Sequence, residues 1–397
     1  MTTTEHATNV SLVKLLAICC LALLGYAILL SFPLLTIYCI SALPAAFSPA
    51  TFDVTLAGVY SGLVALGVAI SYHTFTIKFD DHIGIPLSRD KAPRLYDYLD
   101  NHSSDSGIFC SKIHEIQLSE RHEIKLIKVP VFGVPLWSKN VLVIGLSHMQ
   151  ALPKKSFEET LTATASQLIL FRHPLLHWLS SLHYVWEQYP VALRTRNKIG
   201  DVFLADFFSM YSRLYKRLTM PLIRKTQLKG DEHNHHIHNH RDLLEGIQME
   251  MAAEVYMRHY HWPQILKALY NNNGALPNDM RLYADIPNEI ENKLGTEKLT
   301  AIFTTLYEKP SFGSPCTPPL RQRIQKIGYD KMTKLKPWPG EAASCYIERD
   351  YPVFVEQMEK RWMEKYARSK HATQQNIPKE TPRTKTPTAS PATEPQL

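Results

Sequence analysis

The chain has 397 residues, of which 45% are hydrophobic and 20% are charged. This composition is typical of a globular protein and excludes a chain that is disordered throughout. The formal net charge is +7, but the basic residues are interspersed with acidic ones and form no stripe with interleaved aromatic side chains. We therefore expect no nucleic-acid partner.

Two apolar segments follow a short N-terminal tail of residues 1–10. No charged residue occurs in residues 15–43, a stretch longer than the roughly 20 residues that cross a bilayer as a helix. A second apolar run covers about residues 54–75. The pattern predicts two transmembrane helices within residues 11–75, with Pro33 kinking or ending the first. The lipid bilayer is then an expected partner.

The charges beside these segments predict their orientation. Lys14 precedes the first segment, and Lys78, Arg89, Lys91 and Arg94 follow the second. A two-helix hairpin places both of its ends on one side of the membrane, and Lys and Arg are enriched on the cytoplasmic side. We predict a multi-pass protein of a bacterial-type inner (cytoplasmic) membrane, with its C-terminal domain in the cytoplasm.

Helical and strand patterns alternate through the rest of the chain. Apolar residues at helical spacing predict helices at residues 88–101, 156–170, 202–220 and 242–260. Clusters of apolar and β-branched residues predict strands at residues 114–118, 123–131 and 141–146. Near the C-terminus Thr, Pro, Lys and Gln replace large apolar residues, which predicts a disordered tail at residues 367–397.

Four stretches match motif patterns in the same order along the chain. Residues 84–95 read GIPLSRDKAPRL, close to GxxLSRxxAPxL, and residues 141–146 and 150–152 match the two ends of YLLLGLPLLQAL. Residues 250–254 read EMAAE, close to ExxAD, and residues 317–324 read TPPLRQRI, close to HPPLxxRI. In these motifs the chain resembles the HtpX-like and CAAX-prenyl-protease-type membrane zinc metallopeptidases.

The resemblance implies a mainly α fold with a small β-sheet, the zincin-like metallopeptidase fold, over residues 84–366. In that family two histidines of an HExxH motif and a glutamate from a later helix hold one zinc ion. Glu250 stands at the position of that glutamate, and Glu254 stands where the Asp of ExxAD supports the ligands. Thr317 replaces a histidine of the family pattern.

The helix predicted to carry HExxH contains no histidine. Alignment from Gly145 places the motif at residues 163–167, whereas alignment on Glu159 places it at residues 166–170. Neither register supplies an imidazole or a general-base glutamate, both of which zinc-dependent hydrolysis requires. The motif positions are instead occupied by Ala163, Thr164, Ser166, Gln167 and Leu170. We therefore expect no catalytic residue, no cofactor, and a pseudoprotease that holds a peptide or membrane-protein partner.

Two alternatives stay open. His173 and His177 have the spacing of the HExxH histidines, although Pro174 lies where the motif needs its glutamate. If they hold zinc, the chain is an active, divergent zinc metalloendopeptidase. If instead a histidine-rich loop binds a transition metal, the chain is a metal-binding protein, with the ligands His233, His235, His236, His238 and His240.

The resemblance also predicts a helix contact. In the family fold the helix with HExxH and the helix with the third ligand meet at one metal. We therefore expect the helix at residues 157–170 to pack against the helix at residues 242–260. Ala163, Ser166 or Gln167 should then face Glu250.

Overall fold

A computed structural model gives the fold. It describes residues 12–47, 54–77, 79, 84–106, 113–131, 138–170, 174–196, 201–237, 240–277, 280, 282–283, 286–308, 318–330 and 343–375. Within helices, some side chains lie outside this description, among them those of Ser166, Gln167, Leu170, His177 and residues 233–242. The described chain is mainly helical with one small mixed sheet, as the sequence predicts.

The sheet has four strands in the spatial order β1-β2-β4-β3. The strands are β1 (Ile85–Pro86), β2 (Glu115–Ser119), β3 (Ile124–Pro130) and β4 (Ser138–Gly145). β4 pairs with β2 in parallel and with β3 antiparallel. The three predicted strands are confirmed, and β4 begins earlier than predicted, at Ser138 rather than residue 141. In the described part of the chain β3 pairs only with β4, so it is an edge strand.

Thirteen α-helices are described, and two of them precede the sheet. They are α1 (Leu12–Ala46), α2 (Val54–Phe75), α3 (Pro93–Ser106), α4 (Leu146–Ala151), α5 (Lys154–Leu170), α6 (Pro174–Arg196), α7 (Asp201–Ile237), α8 (His240–Tyr256), α9 (Trp262–Asn271), α10 (Ile286–Glu308), α11 (Leu320–Lys326), α12 (Ala343–Tyr346) and α13 (Tyr351–Gln375). A π-helical turn, Met257–His261, joins α8 to α9.

Some helix boundaries differ from those predicted. The carbonyl of Ser88 accepts hydrogen bonds from the backbone N–H groups of Lys91 and Ala92, so a turn and not a helix follows the predicted start at residue 88. α3 begins instead at Pro93, whose fixed φ and missing N–H suit a first helical residue. α7 continues well beyond residue 220. α13 runs past residue 367, the predicted start of the tail, and residues 376–397 lie outside the description.

Two hydrophobic cores lie on opposite faces of the sheet. Successive side chains of a strand point to opposite faces, and the central strand β4 supplies both cores in this way. Leu142 and Ile144 pack with α3, α4, α9 and α13, whereas Val141 and Val143 pack with α6 and α7. All four side chains are fully buried. This explains why residues 141–146 read as a continuous apolar run rather than an alternating one.

α1 and α2 are each long and apolar enough to cross a membrane. They pack together, with Gly67 of α2 against Thr36 of α1. α1 has 35 residues, or about 52 Å at a 1.5 Å rise per residue, and it continues through Pro33, which therefore does not end the helix.

The N-terminal part of α1 also packs against the rest of the protein. Ile18 and Ala22 are buried in the core that α6 and α7 form. The Tyr211 hydroxyl of α7 donates a hydrogen bond of 2.7 Å to the carbonyl of Leu21. Gly25 lies so close to Tyr211 and Trp186 that a methyl group there would meet Trp186 at 2.8 Å. α1 is therefore long enough both to cross a bilayer and to pack against α6 and α7.

The predicted contact between α5 and α8 is confirmed. The Ser156 hydroxyl of α5 lies 3.6 Å from the Met249 sulfur of α8. One turn earlier on α8, Gly246 lies against the buried carboxylate of Glu159, which leaves no room for a larger residue unless that carboxylate moves. The two helices run side by side toward the region where the resemblance places a metal site.

Candidate functional site

A cavity of about 330 Å³ lies between the edge strand β3 and helices α5 to α8. Residues at several of the matched motif positions line this cavity. Ala163 and Thr164 line the cavity from α5, and Glu250 and Glu254 line it from α8. Arg323 of α11, in the stretch that resembles HPPLxxRI, also lines it. The segments that carry three of the motif matches therefore meet at one cavity.

Arg323 is the centre of a buried ion cluster. Only 3% of the residue is exposed. Its Nε and Nη2 donate to the two carboxylate oxygens of Asp231, both at 2.9 Å, and its Nη1 donates to Oε2 of Glu250 at 2.8 Å. Because these three residues come from α11, α7 and α8, the cluster ties three helices together at one end of the cavity.

The charges in this cluster stabilise one another. Burial raises the pKa of Asp231 above its ordinary value, and the Arg323 guanidinium opposes that rise. Burial alone would lower the pKa of Arg323, but the Asp231 and Glu250 carboxylates more than offset it, so the pKa lies above its ordinary value. Arg323 is therefore a permanent cation beside the Glu250 carboxylate.

These residues do not fit the zinc ion of the resembling family. Ala163 and Thr164 offer no imidazole and no carboxylate. The side chains of Ser166, Gln167 and Leu170 lie outside the description, and none of these residue types supplies an imidazole either. Glu250 is held by a guanidinium, which would repel a divalent cation bound to the same carboxylate. Glu254 lies 3.6 Å from Arg258 in an i, i+4 pair.

The histidines singled out from the sequence are not placed at this site by any described contact. His173 and His238 lie outside the described residues, as does Thr317. His177 lies on α6, and the others occupy the end of α7 or the start of α8, but their side chains are not described: His233, His235, His236 and His240. The two metal-based alternatives therefore stay predictions.

Two other histidines do line the cavity, and the sequence analysis missed both. His122 lies in the turn between β2 and β3, and His148 lies on α4. Their ring centroids are 4.7 Å apart. His148 falls between the two matched stretches at residues 141–146 and 150–152. A histidine inside a run that is otherwise buried was the available signal, because such a residue needs a partner.

The environment keeps both rings neutral. Burial lowers the pKa of His148 to about 3. Burial also lowers the pKa of His122 well below its ordinary value, and the neighbouring His148 adds to the effect. His122 Nδ1 lies 3.2 Å from the Ser147 hydroxyl. Nε2 of His122 and both ring nitrogens of His148 are buried and have no hydrogen-bond partner among the described residues.

The cavity also follows the free edge of β3. Adjacent residues of a strand point to opposite faces of the sheet, yet Ile124, Lys125, Leu126 and Lys128 all line the cavity. The cavity therefore runs along the edge of the strand, where backbone groups can pair with another extended chain.

No protein-family model, curated protein or solved structure matches this chain.

Proposed function

We propose that this chain is a membrane-anchored pseudoprotease with a zincin-like domain. In this proposal it is a degenerate member of the HtpX-like and CAAX-prenyl-protease-type family, and it holds an extended peptide without cleaving it. One observation carries the proposal: Glu250, at the position of the family's third zinc ligand, is ion-paired with the buried guanidinium of Arg323. The cation that contacts the Glu250 carboxylate in this cavity is the Arg323 side chain.

The chemistry that the cavity lacks supports the proposal. Water attacks an amide near neutral pH only after a metal lowers its pKa or a base takes its proton. The α5 positions of the motif supply neither group, and the Glu250 carboxylate accepts a hydrogen bond from the Arg323 guanidinium. Removing either function normally lowers the rate by orders of magnitude, and the α5 positions have lost both.

The edge of β3 supports the peptide-holding part. An extended peptide can add to a free strand edge through main-chain hydrogen bonds, while pockets beside the strand select its side chains. The cavity offers apolar contacts at Ile124 and Leu126, and charges of both signs at Lys125 and Glu254. A peptide with alternating apolar and charged residues fits this lining.

The membrane part of the proposal is a hairpin of α1 and α2 in a bacterial-type inner membrane, with the zincin-like domain in the cytoplasm. The length and apolar surface of both helices support the crossing. The Lys and Arg residues after α2 support the orientation. A reporter that works only outside the cytoplasm should be inactive when fused after Asp80, and an active fusion would overturn the topology.

The catalytic part is tested with purified protein, added zinc, and casein or a membrane protein as substrate. We expect no cleavage above background, and no difference between the unaltered chain and a Glu250→Gln variant. Glutamine keeps the size of the side chain and its hydrogen bond to Arg323, so the variant should fold. Cleavage that a chelator abolishes and the variant lacks would sink the proposal and favour the active alternative.

The peptide-holding part is tested by photo-crosslinking. A photoreactive residue at Leu126 should form an adduct with casein-derived peptides, and the peptide in the adduct should be intact. The matched control carries the same residue at Tyr270, which is 83% exposed on α9 and does not line the cavity. Equal adduct yields at the two positions would show that the cavity has no preference for peptide.

A further inference from the structure

The pair of the half-buried His122 and the buried His148 is not explained by the proposed function. Only 2% of His148 is exposed, and the pair presents three buried ring nitrogens without a hydrogen-bond partner among the described residues. Buried polar side-chain atoms in folded proteins nearly always have a partner, and leaving one unsatisfied is unfavourable. The pair therefore points to a ligand that interacts with ring nitrogens.

We propose that His122 and His148 bind one transition-metal ion, zinc(II) or a similar borderline cation, through one ring nitrogen each. Neutral imidazole is a preferred ligand for such ions. A zinc-bound imidazole nitrogen lies about 2.0–2.1 Å from the metal, so two rings that share one tetrahedral ion have centroids roughly 5 Å apart. The observed separation is 4.7 Å.

This site differs from the one that the family resemblance implies. Its ligands come from the β2–β3 turn and from α4, and not from α5. The cavity gives the ion a path from solvent. Glu250 lies close enough to His122 to act on it electrostatically, with part of its negative charge offset by Arg323.

The number of protein ligands determines how tightly we expect the ion to bind. Among the described residues, no three His, Cys, Asp or Glu side chains converge on one point. Within the described part of the chain the ion therefore has two protein ligands, and water would complete its coordination. Zinc sites in proteins usually have three or four protein ligands, so this ion should exchange readily and bind more weakly than a structural zinc.

The test must separate this pair from the histidine-rich segment. In a background chain, five histidines are replaced by asparagine: His233, His235, His236, His238 and His240. Binding of zinc(II) and cobalt(II) to this full-length chain in detergent is then measured by titration calorimetry and by the visible absorption of bound cobalt. We expect about one ion per chain.

Removing either ligand should weaken binding by at least about tenfold, because even loss of a residue that only supports a ligand costs 10–100-fold. The variants are His148→Leu and His122→Gln, and His259→Asn is a matched control on an exposed histidine. His122 lies in a turn, so His122→Gln decides the question if His148→Leu does not fold. Unchanged affinity in His122→Gln, or no bound ion in the background chain, would overturn the proposal.

Discussion

Two clusters of side chains that line the cavity treat their polar groups in opposite ways. In the first, which we call the charged end, Arg323 uses three nitrogens to satisfy Asp231 and Glu250. In the second, which we call the histidine end, His122 and His148 lie in contact, and three of their ring nitrogens have no hydrogen-bond partner among the described residues. Both clusters line the same 330 Å³ cavity.

The difference follows from charge. An uncompensated charge in a protein interior costs several kcal/mol, so Arg323 must have carboxylate partners for the chain to fold. A neutral imidazole without a partner costs only about 1–3 kcal/mol, which a folded domain can tolerate. Unsatisfied groups can therefore persist at the histidine end, and that end is where a ligand gains most from binding.

The largest expected effect comes from breaking the charged end. Arg323→Ala leaves Asp231 buried beside Glu250 without a cation, and we expect it to lower the free energy of unfolding by about 3–5 kcal/mol. Denaturant titration in detergent measures this. Arg321→Ala, on the exposed face of α11, is the matched control. It loses only a surface cation–π contact with Tyr307 and should lower stability by no more than about 1 kcal/mol.

A second set of variants distinguishes charge from shape at this end. Apolar residues of similar volume at all three positions, Arg323→Met with Asp231→Leu and Glu250→Met, should recover most of the lost stability, because no buried charge is left unpaired. If Arg323→Ala alone costs less than about 1 kcal/mol, the cluster does not hold the helices together.

The next effect concerns the position of the histidine end. A methyl group on Gly145, at the end of β4, would collide with the backbone carbonyl of Arg121 and lie 2.9 Å from the backbone nitrogen of Glu123. These residues flank His122. Gly145→Ala should therefore displace the turn and cost about 1–3 kcal/mol.

Gly62→Ala on α2 is the control for Gly145→Ala, since nothing lies within 4 Å of a methyl group built at Gly62. Its stability should match or slightly exceed that of the unaltered chain, because alanine favours a helix. Equal stability of both variants would show that the turn carrying His122 is not fixed by β4.

A pH titration sharpens the comparison at the histidine end. The pKa of His148 is about 3 in the folded chain against an ordinary value of 6.5. Below pH 6.5 the unfolded chain therefore takes up a proton that the folded chain does not, and stability falls until the pH reaches about 3. At pH 5.5 this loss is about 1.4 kcal/mol. His148→Leu should lack it.

The measurement compares the free energy of unfolding at pH 7.5 and pH 5.5. Met149→Leu, a volume-conserving change on the same helix, should keep the full pH dependence of the unaltered chain. If His148→Leu loses as much stability on acidification as Met149→Leu does, another group dominates the acid response.

The sequence predicted much of the fold because its signals were local. The two apolar segments predicted both N-terminal helices, and the runs of β-branched residues predicted the three longer strands. α6 was not predicted, although its main partner, α7, follows it directly along the chain. It also packs against β3 and α1, so it buries more than the single apolar stripe that marks a surface helix. The sequence pattern did not show that α1 packs against α6 and α7, for example where Leu21 meets Tyr211. These contacts explain why α1 is longer than a bilayer requires.

For the site, the sequence predicted segments better than residues. The motif resemblance brought residues 163–164 and 250–254 to one cavity, as the structure has them. Arg323 and Glu250 both lie in matched motifs, but a motif match does not show which side chains pair, and Asp231, the third member of the cluster, lies outside every matched motif. His122 and His148 were missed because the distance between their rings is set by the sheet and by the contact of Gly145 with the turn.

The smallest expected effect provides the reference for the buried cluster. Arg194 and Asp206 join the ends of α6 and α7 through an ion pair of 2.9 Å, the same N–O distance as in Arg323–Asp231, but their side chains are 62% and 69% exposed. Water screens this pair and competes for both groups. A double-mutant cycle with Arg194→Ala and Asp206→Ala should therefore give a coupling of only about 0.2–1 kcal/mol. The coupling should fall further in high salt, whereas that of Arg323 with Asp231 should not. A surface coupling as large as the buried one would mean that burial does not distinguish the two pairs.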